Sequence, residues 1–127
     1  MSPIPAFILA LTGLGFLGFG AAAALRPSRA AAVTELSLPT PSARADFAAT
    51  YGGFQVGFGL FLLVCARMRD WHEPGLWAAV AALAGFGVVR GVGILHARGR
   101  VIRAIWFGLG LEVAGVLLNL WALARVR

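Results

Sequence analysis

Four long apolar runs divide this chain, and they constrain its fold more than any other feature. They cover Ile4 to Leu25, a stretch starting near Ala43 or Asp46 and reaching Ala66, Gly75 to Leu95, and about Ile102 to Ala124. A helix rises about 1.5 Å per residue, so each run is long enough to cross roughly 30 Å of hydrocarbon. The predicted fold is therefore all-α, an integral membrane four-helix bundle. It forms one transmembrane domain over residues 1–127, with helices at about 4–25, 44–66, 75–95 and 102–124.

Composition agrees with this division. Hydrophobic residues make up 60% of the chain and charged residues 13%, about half the charged share of an ordinary soluble domain. The net charge is +6, and every basic residue is an arginine. Such a balance can mark a nucleic-acid binder, but these arginines stand almost entirely at the ends of apolar runs, where they set orientation and meet lipid headgroups. No basic run carries interleaved aromatics, so nucleic acid is not an expected partner. The lone cysteine, Cys65, excludes an internal disulfide and a multi-cysteine metal site.

The segments between the runs read as connections. Arg26-Pro27 stops the first run, and Arg26 to Ser42 holds Pro27, Pro39 and Pro41, with a short interfacial helix expected around Ala30 to Leu36. The first run is expected to be kept as a span. Ala21-Ala22-Ala23 has the look of a cleavage site, but no basic residue precedes the run, which is also long for a signal peptide. Arg67 to Glu73 forms a polar turn with an interfacial Trp71, after which Pro74 opens the third helix. Arg26, Arg29, Arg44, Arg98, Arg100 and Arg103 fall on one side of the membrane, against Arg67, Arg69, Arg125 and Arg127 on the side of the termini. The amino-terminal charge narrows that difference, so arginine bias leaves the orientation open.

Charged side chains inside the spans are the main functional clue, because one costs about 2.5–3.5 kcal/mol at the centre of a membrane helix. There are two, Arg90 and Glu112. Measured from the loop between the last two helices, Arg90 lies about five residues deep and Glu112 about ten, or roughly 8 and 15 Å. The guanidinium stem spans that difference, which predicts an ion pair between adjacent antiparallel helices. Tyr51 and Gln55 share a face at i and i+4, at a similar depth, and are expected to join the pair. Asn119 extends the cluster along the face that bears Glu112.

Glycines accompany these polar residues. Gly108 and Gly115 share the Glu112 face, and Gly87 stands one turn from Arg90. Gly53/Gly57 and Gly87/Gly91 repeat the spacing that lets membrane helices approach closely. A buried polar cluster with such glycines serves either as a staple that fixes helix register or as part of a ligand pocket.

Other motifs carry no chemistry in this setting. Gly13-Leu14-Gly15-Phe16-Leu17-Gly18 matches the dinucleotide fingerprint, which functions only at a strand-to-helix turn. His72 and His96 bracket the third helix, roughly 33 Å apart, and cannot share an ion. No catalytic residue, metal ligand set or cofactor motif is assigned. Acid–base work by Glu112 with Tyr51 is the enzymatic alternative, with no substrate specified.

The stretch Ala43-Arg44-Ala45-Asp46-Phe47-Ala48-Ala49-Thr50-Tyr51-Gly52-Gly53-Phe54-Gln55-Val56-Gly57-Phe58-Gly59, with an arginine in the third helix and a glutamate in the fourth, resembles a bacterial membrane family, the one numbered 4345 among domains of unknown function. The architecture is also loosely similar to DoxX-like membrane proteins. The first resemblance covers essentially the whole chain and implies the bacterial inner membrane but no activity; the second implies company with membrane redox systems, for which the sequence holds no redox motif.

The resulting expectation is a small membrane protein whose cluster of Tyr51, Gln55, Arg90, Glu112 and Asn119 binds a small amphiphilic or lipid-like ligand, with membrane lipids as its surroundings. One alternative is an accessory or assembly subunit that meets partner membrane subunits through glycine-lined faces. A further alternative is a small proton-coupled transporter using Glu112. The oligomeric state is not legible.

Overall fold

The computed structural model describes residues 1–126, so Arg127 of the arginine tally lies outside the described residues. Six α-helices follow in order: α1 (Ile4–Leu25), α2 (Pro27–Ala32), α3 (Pro41–Phe47), α4 (Phe54–Arg67), α5 (His72–His96) and α6 (Arg103–Leu123). No strand occurs among the described residues, and the chain is all-α. A π-helical segment, Ala48–Gly53, joins α3 to α4, making Pro41–Arg67 one continuous 27-residue span. With Ile4–Leu25, Arg69–His96 and Arg103–Leu123, four helical stretches are long and apolar enough to cross a membrane.

Local signals account for where these helices begin and end. Pro27 and Pro41 each open a helix, where the missing N–H would have no intrahelical partner anyway. Pro27 therefore draws the short interfacial helix to Pro27–Ala32, upstream of the expected Ala30 to Leu36. It closes where Glu35 adopts a left-handed φ of 62° and Leu36 N–H returns to the Ala31 carbonyl at 3.0 Å. Thr40 caps α3, its hydroxyl accepting the Ala43 N–H at 3.1 Å. Thr40→Ala is expected to cost about 1 kcal/mol, read as a lower unfolding midpoint in detergent, with Thr40→Ser close to the parent. At the other end of the chain, the Arg125 guanidinium, just past α6, lies 5.3 Å from the ring centre of Trp121 in the last turn of that helix.

Packing separates the chain into two compact units, Ala10–Val64 and Met1–Leu9 with the chain from Cys65 onward. Within Ala10–Val64, α1 and the second span run antiparallel with their backbones in close approach. A Cβ at Gly20 would stand 2.6 Å from Val56 N, and one at Gly52 would stand 2.7 Å from the Ala24 Cα. Only glycine fits where two helix backbones meet so closely. Phe16 and Phe58 meet edge to face at 4.9 Å beside this seam. Ala23, Ala31 and Phe47, with Ala30 and Leu38 against them, form a small apolar core under the connection between α1 and α3.

In the other unit, α5 and α6 pack along most of their length. Gly75 lies against the buried Cys65, where a Cβ would come within 2.7 Å of the cysteine Cβ and 3.1 Å of Leu9. Cys65 thus packs as a small buried side chain.

Candidate functional site

The antiparallel register of α5 against α6 builds the site. Three contacts between them follow one another, Leu83 with Gly115, Gly87 with Glu112, and Arg90 with Gly108. At each level one helix contributes glycine and the other a larger side chain. A Cβ at Gly108 would stand 3.4 Å from the Arg90 Cζ, and one at Gly87 would stand 3.5 Å from the Glu112 Cβ. The guanidinium therefore lies across the bare backbone of α6, and the carboxylate stem across that of α5.

This arrangement closes a two-pronged ion pair. Arg90 Nε donates to Glu112 Oε1 at 2.9 Å and to Oε2 at 3.1 Å, while Nη2 stands 2.8 Å from Oε1. Paired N–H donors facing one carboxylate fix its orientation, which a lysine ammonium cannot do. Glu112 is 8% exposed, and the Arg90 side chain retains 28% of its surface. The pair is thus shielded at the carboxylate and open at the guanidinium. It is the only salt bridge among the described residues.

Asn119, fully buried about two turns further along α6, donates from Nδ2 to the Gly115 carbonyl at 2.8 Å. That bond lies inside its own helix. Tyr51 and Gln55 belong to the Ala10–Val64 unit. Tyr51 stands in the π-helical segment, 45% exposed, with its ring stacked on Phe47 at 4.6 Å between centroids. His72 and His96 each meet a carbonyl close in sequence, Ala66 O at 3.1 Å and Val92 O at 2.9 Å.

Several residues at the site went unmarked in the sequence. A groove of about 300 Å³ runs between α5 and α6, with Leu83, Ala84 and Val88 on one side and Val113, Val116 and Leu117 on the other. Gly87 and Glu112 line it as well, making the carboxylate residue its one ionisable lining group. The signal was present as Ala84 and Gly87, small residues flanked by branched ones, but seventeen glycines spread along the chain kept that pair from standing out.

Four span-length apolar helices and one buried arginine–glutamate bridge define a small helical membrane protein. The chain belongs to the family described as domain of unknown function DUF4345, whose match covers residues 4–123. No curated protein and no solved structure matches the chain. The likeness to DoxX-like proteins is not confirmed by these comparisons.

Proposed function

We propose that this protein is a bacterial inner-membrane protein that holds a small amphiphilic, lipid-like molecule in the groove between α5 and α6. The observation that supports this reading is the continuity of an apolar groove with the Glu112 carboxylate residue. Small-molecule sites are mostly apolar, with few polar groups that fix orientation. A tail would lie along Leu83, Val113, Val116 and Leu117, while a hydroxyl-type head would donate to Glu112. Both carboxylate oxygens already accept from Arg90, yet a carboxylate has about four acceptor positions and takes a further donor without losing the bridge. Arg90 holds the carboxylate in place.

Native mass spectrometry of protein released from its own membranes tests the reading. The parent protein is expected to carry an amphiphile of defined mass. Ala84→Phe, which fills the groove while leaving the ion pair intact, removes that species, and Glu112→Gln reduces it. A retained mass equal in all three proteins would count against the groove as the site.

A second reading, an accessory subunit, draws on glycines that carry no packing inside their own units. A Cβ at Gly53, Gly57 or Gly91 meets no atom of its unit within 4 Å, whereas Gly87, Gly108 and Gly115 each meet the facing helix. Open glycine faces suit a partner helix. In-membrane crosslinking from cysteines placed at Gly57 and Gly91 distinguishes the readings, since a subunit yields a discrete heteromeric band and a ligand-binding protein does not.

A further inference from the structure

Three arginines from three different stretches converge on one hollow in the Ala10–Val64 unit. Arg26 follows the end of α1, Arg29 belongs to α2 and Arg44 to α3, and together with Pro27 and Ser28 they line a depression of about 480 Å³. That volume lies within the range of small-molecule sites, roughly 300–1,000 Å³. Among the described residues none of the three forms a salt bridge, although Glu35 and Asp46 occur in the same stretch of chain. Three like charges held around one space without a counter-charge repel one another, and an anion placed between them removes that cost.

The same elements carry a small apolar core, Ala23, Ala31 and Phe47, with Ala30 and Leu38 packed against them. Arg44 Nη1 donates to the Leu38 carbonyl at 3.3 Å, which leaves most of its guanidinium donors for other partners. Ser28 adds a hydroxyl on the rim. Guanidinium forks match the oxygen spacing of a phosphate, and a serine hydroxyl is a common further donor to one.

Position identifies the source of the anion. Arg26 directly follows the first span and Pro41 starts the second, so the hollow stands where two membrane-length helices end. Leu25, the chain neighbour of Arg26, and Val33, just past α2, are both widely exposed. A cationic centre at the end of a span, with exposed apolar side chains nearby in the chain, fits a molecule that has acyl chains and a phosphate. We infer that Arg26, Arg29 and Arg44 form a binding site for the phosphate of an anionic lipid, separate from the groove between α5 and α6.

The test uses the full-length protein in neutral detergent, offered phosphatidic acid or phosphatidylcholine in equal amounts, with bound lipid counted by native mass spectrometry. Phosphatidic acid is expected to be retained in preference to phosphatidylcholine. Arg29→Gln should weaken retention about fivefold, and Arg26→Gln/Arg29→Gln about twenty-five-fold, as follows from about 1 kcal/mol for each basic residue near an anionic surface. This pair of changes leaves the Arg44 link to Leu38 in place, and far-ultraviolet circular dichroism checks that the helices persist. Arg100→Gln, outside the hollow, should leave retention unchanged. In a parallel titration, inorganic phosphate at millimolar concentration should fail to displace the lipid. Full displacement would overturn the lipid assignment and make the site one for soluble phosphate. Equal retention of the two lipids, or undiminished retention by the folded double variant, would overturn the site itself.

Discussion

Glu112→Leu, made with Arg90 retained, is expected to destabilise the protein by about 3 kcal/mol. The carboxylate now neutralises the guanidinium at 2.8–3.1 Å, and removing one member of a buried pair leaves the other with its desolvation cost uncompensated, a loss of about 3–5 kcal/mol in proteins generally. The lower end applies because Arg90 keeps part of its surface exposed and can swing its charge toward the nearer end of α5. Glu112→Gln should cost less, about 1–2 kcal/mol, since an amide oxygen still accepts from the guanidinium. The informative variant is the double change, Arg90→Leu/Glu112→Leu, which removes both charges from a seam that is otherwise apolar. Its stability should return to within about 1 kcal/mol of the parent, because well-packed apolar residues replace a buried pair at little or no cost. Unfolding by SDS in mixed micelles, followed by far-ultraviolet circular dichroism, measures the four proteins of the cycle: the parent, Glu112→Leu, Arg90→Leu and the double variant. If the two single changes simply add, with an interaction below about 0.5 kcal/mol, the bridge contributes nothing to holding α5 on α6.

The ion pair was legible because it needed only two facts, the scarcity of charge within the spans and a matched depth from the shared loop. Depth is a one-dimensional quantity, and a sequence supplies it. Azimuth is harder, since each of these helices is apolar nearly all round and offers no polar stripe to mark its inner face. That is why Arg90 and Glu112 could be paired while the roles of the glycines could not be sorted. Small-residue spacing picked out Gly53 and Gly57, but the close backbone approaches in that unit are made at Gly20 and Gly52 and at Gly13 and Gly59. The π-helical turn at Ala48–Gly53 contributes to this shift. One residue beyond the α-helical repeat rotates everything that precedes it on the span relative to everything that follows, so an i and i+4 argument that begins at Tyr51 starts inside the irregular turn. Asn119 illustrates another limit. Its place on the Glu112 face was readable from the helical period, but its amide nitrogen donates to Gly115 within its own helix, and spacing alone does not distinguish a bond inside the helix from one across the seam.

Adjacent glycines in that irregular turn give the largest contrast expected of any neighbouring pair in the chain. Gly52→Ala places a methyl group 2.7 Å from both the Cα and the amide nitrogen of Ala24, and 2.8 Å from its Cβ. None of these atoms can rotate away, so α1 and the second span must separate along the seam, and the loss should reach about 3 kcal/mol, the upper end of the usual overpacking range. Gly53→Ala, one residue on, meets no atom of its own unit. It should be neutral or add up to about 1 kcal/mol, because alanine is the better helix former. Gly115→Ala falls between them. Its methyl also comes within 2.7 Å of a neighbour, but that neighbour is Leu83 Cδ1, the far end of a flexible side chain, and a change of rotamer relieves the contact at a cost of about 1 kcal/mol. Thermal unfolding of the three variants in one detergent ranks them directly. A Gly52→Ala protein as stable as Gly53→Ala would mean that the two helices do not approach along Gly20 and Gly52, since no other arrangement of that seam makes one glycine indispensable and leaves the next one free.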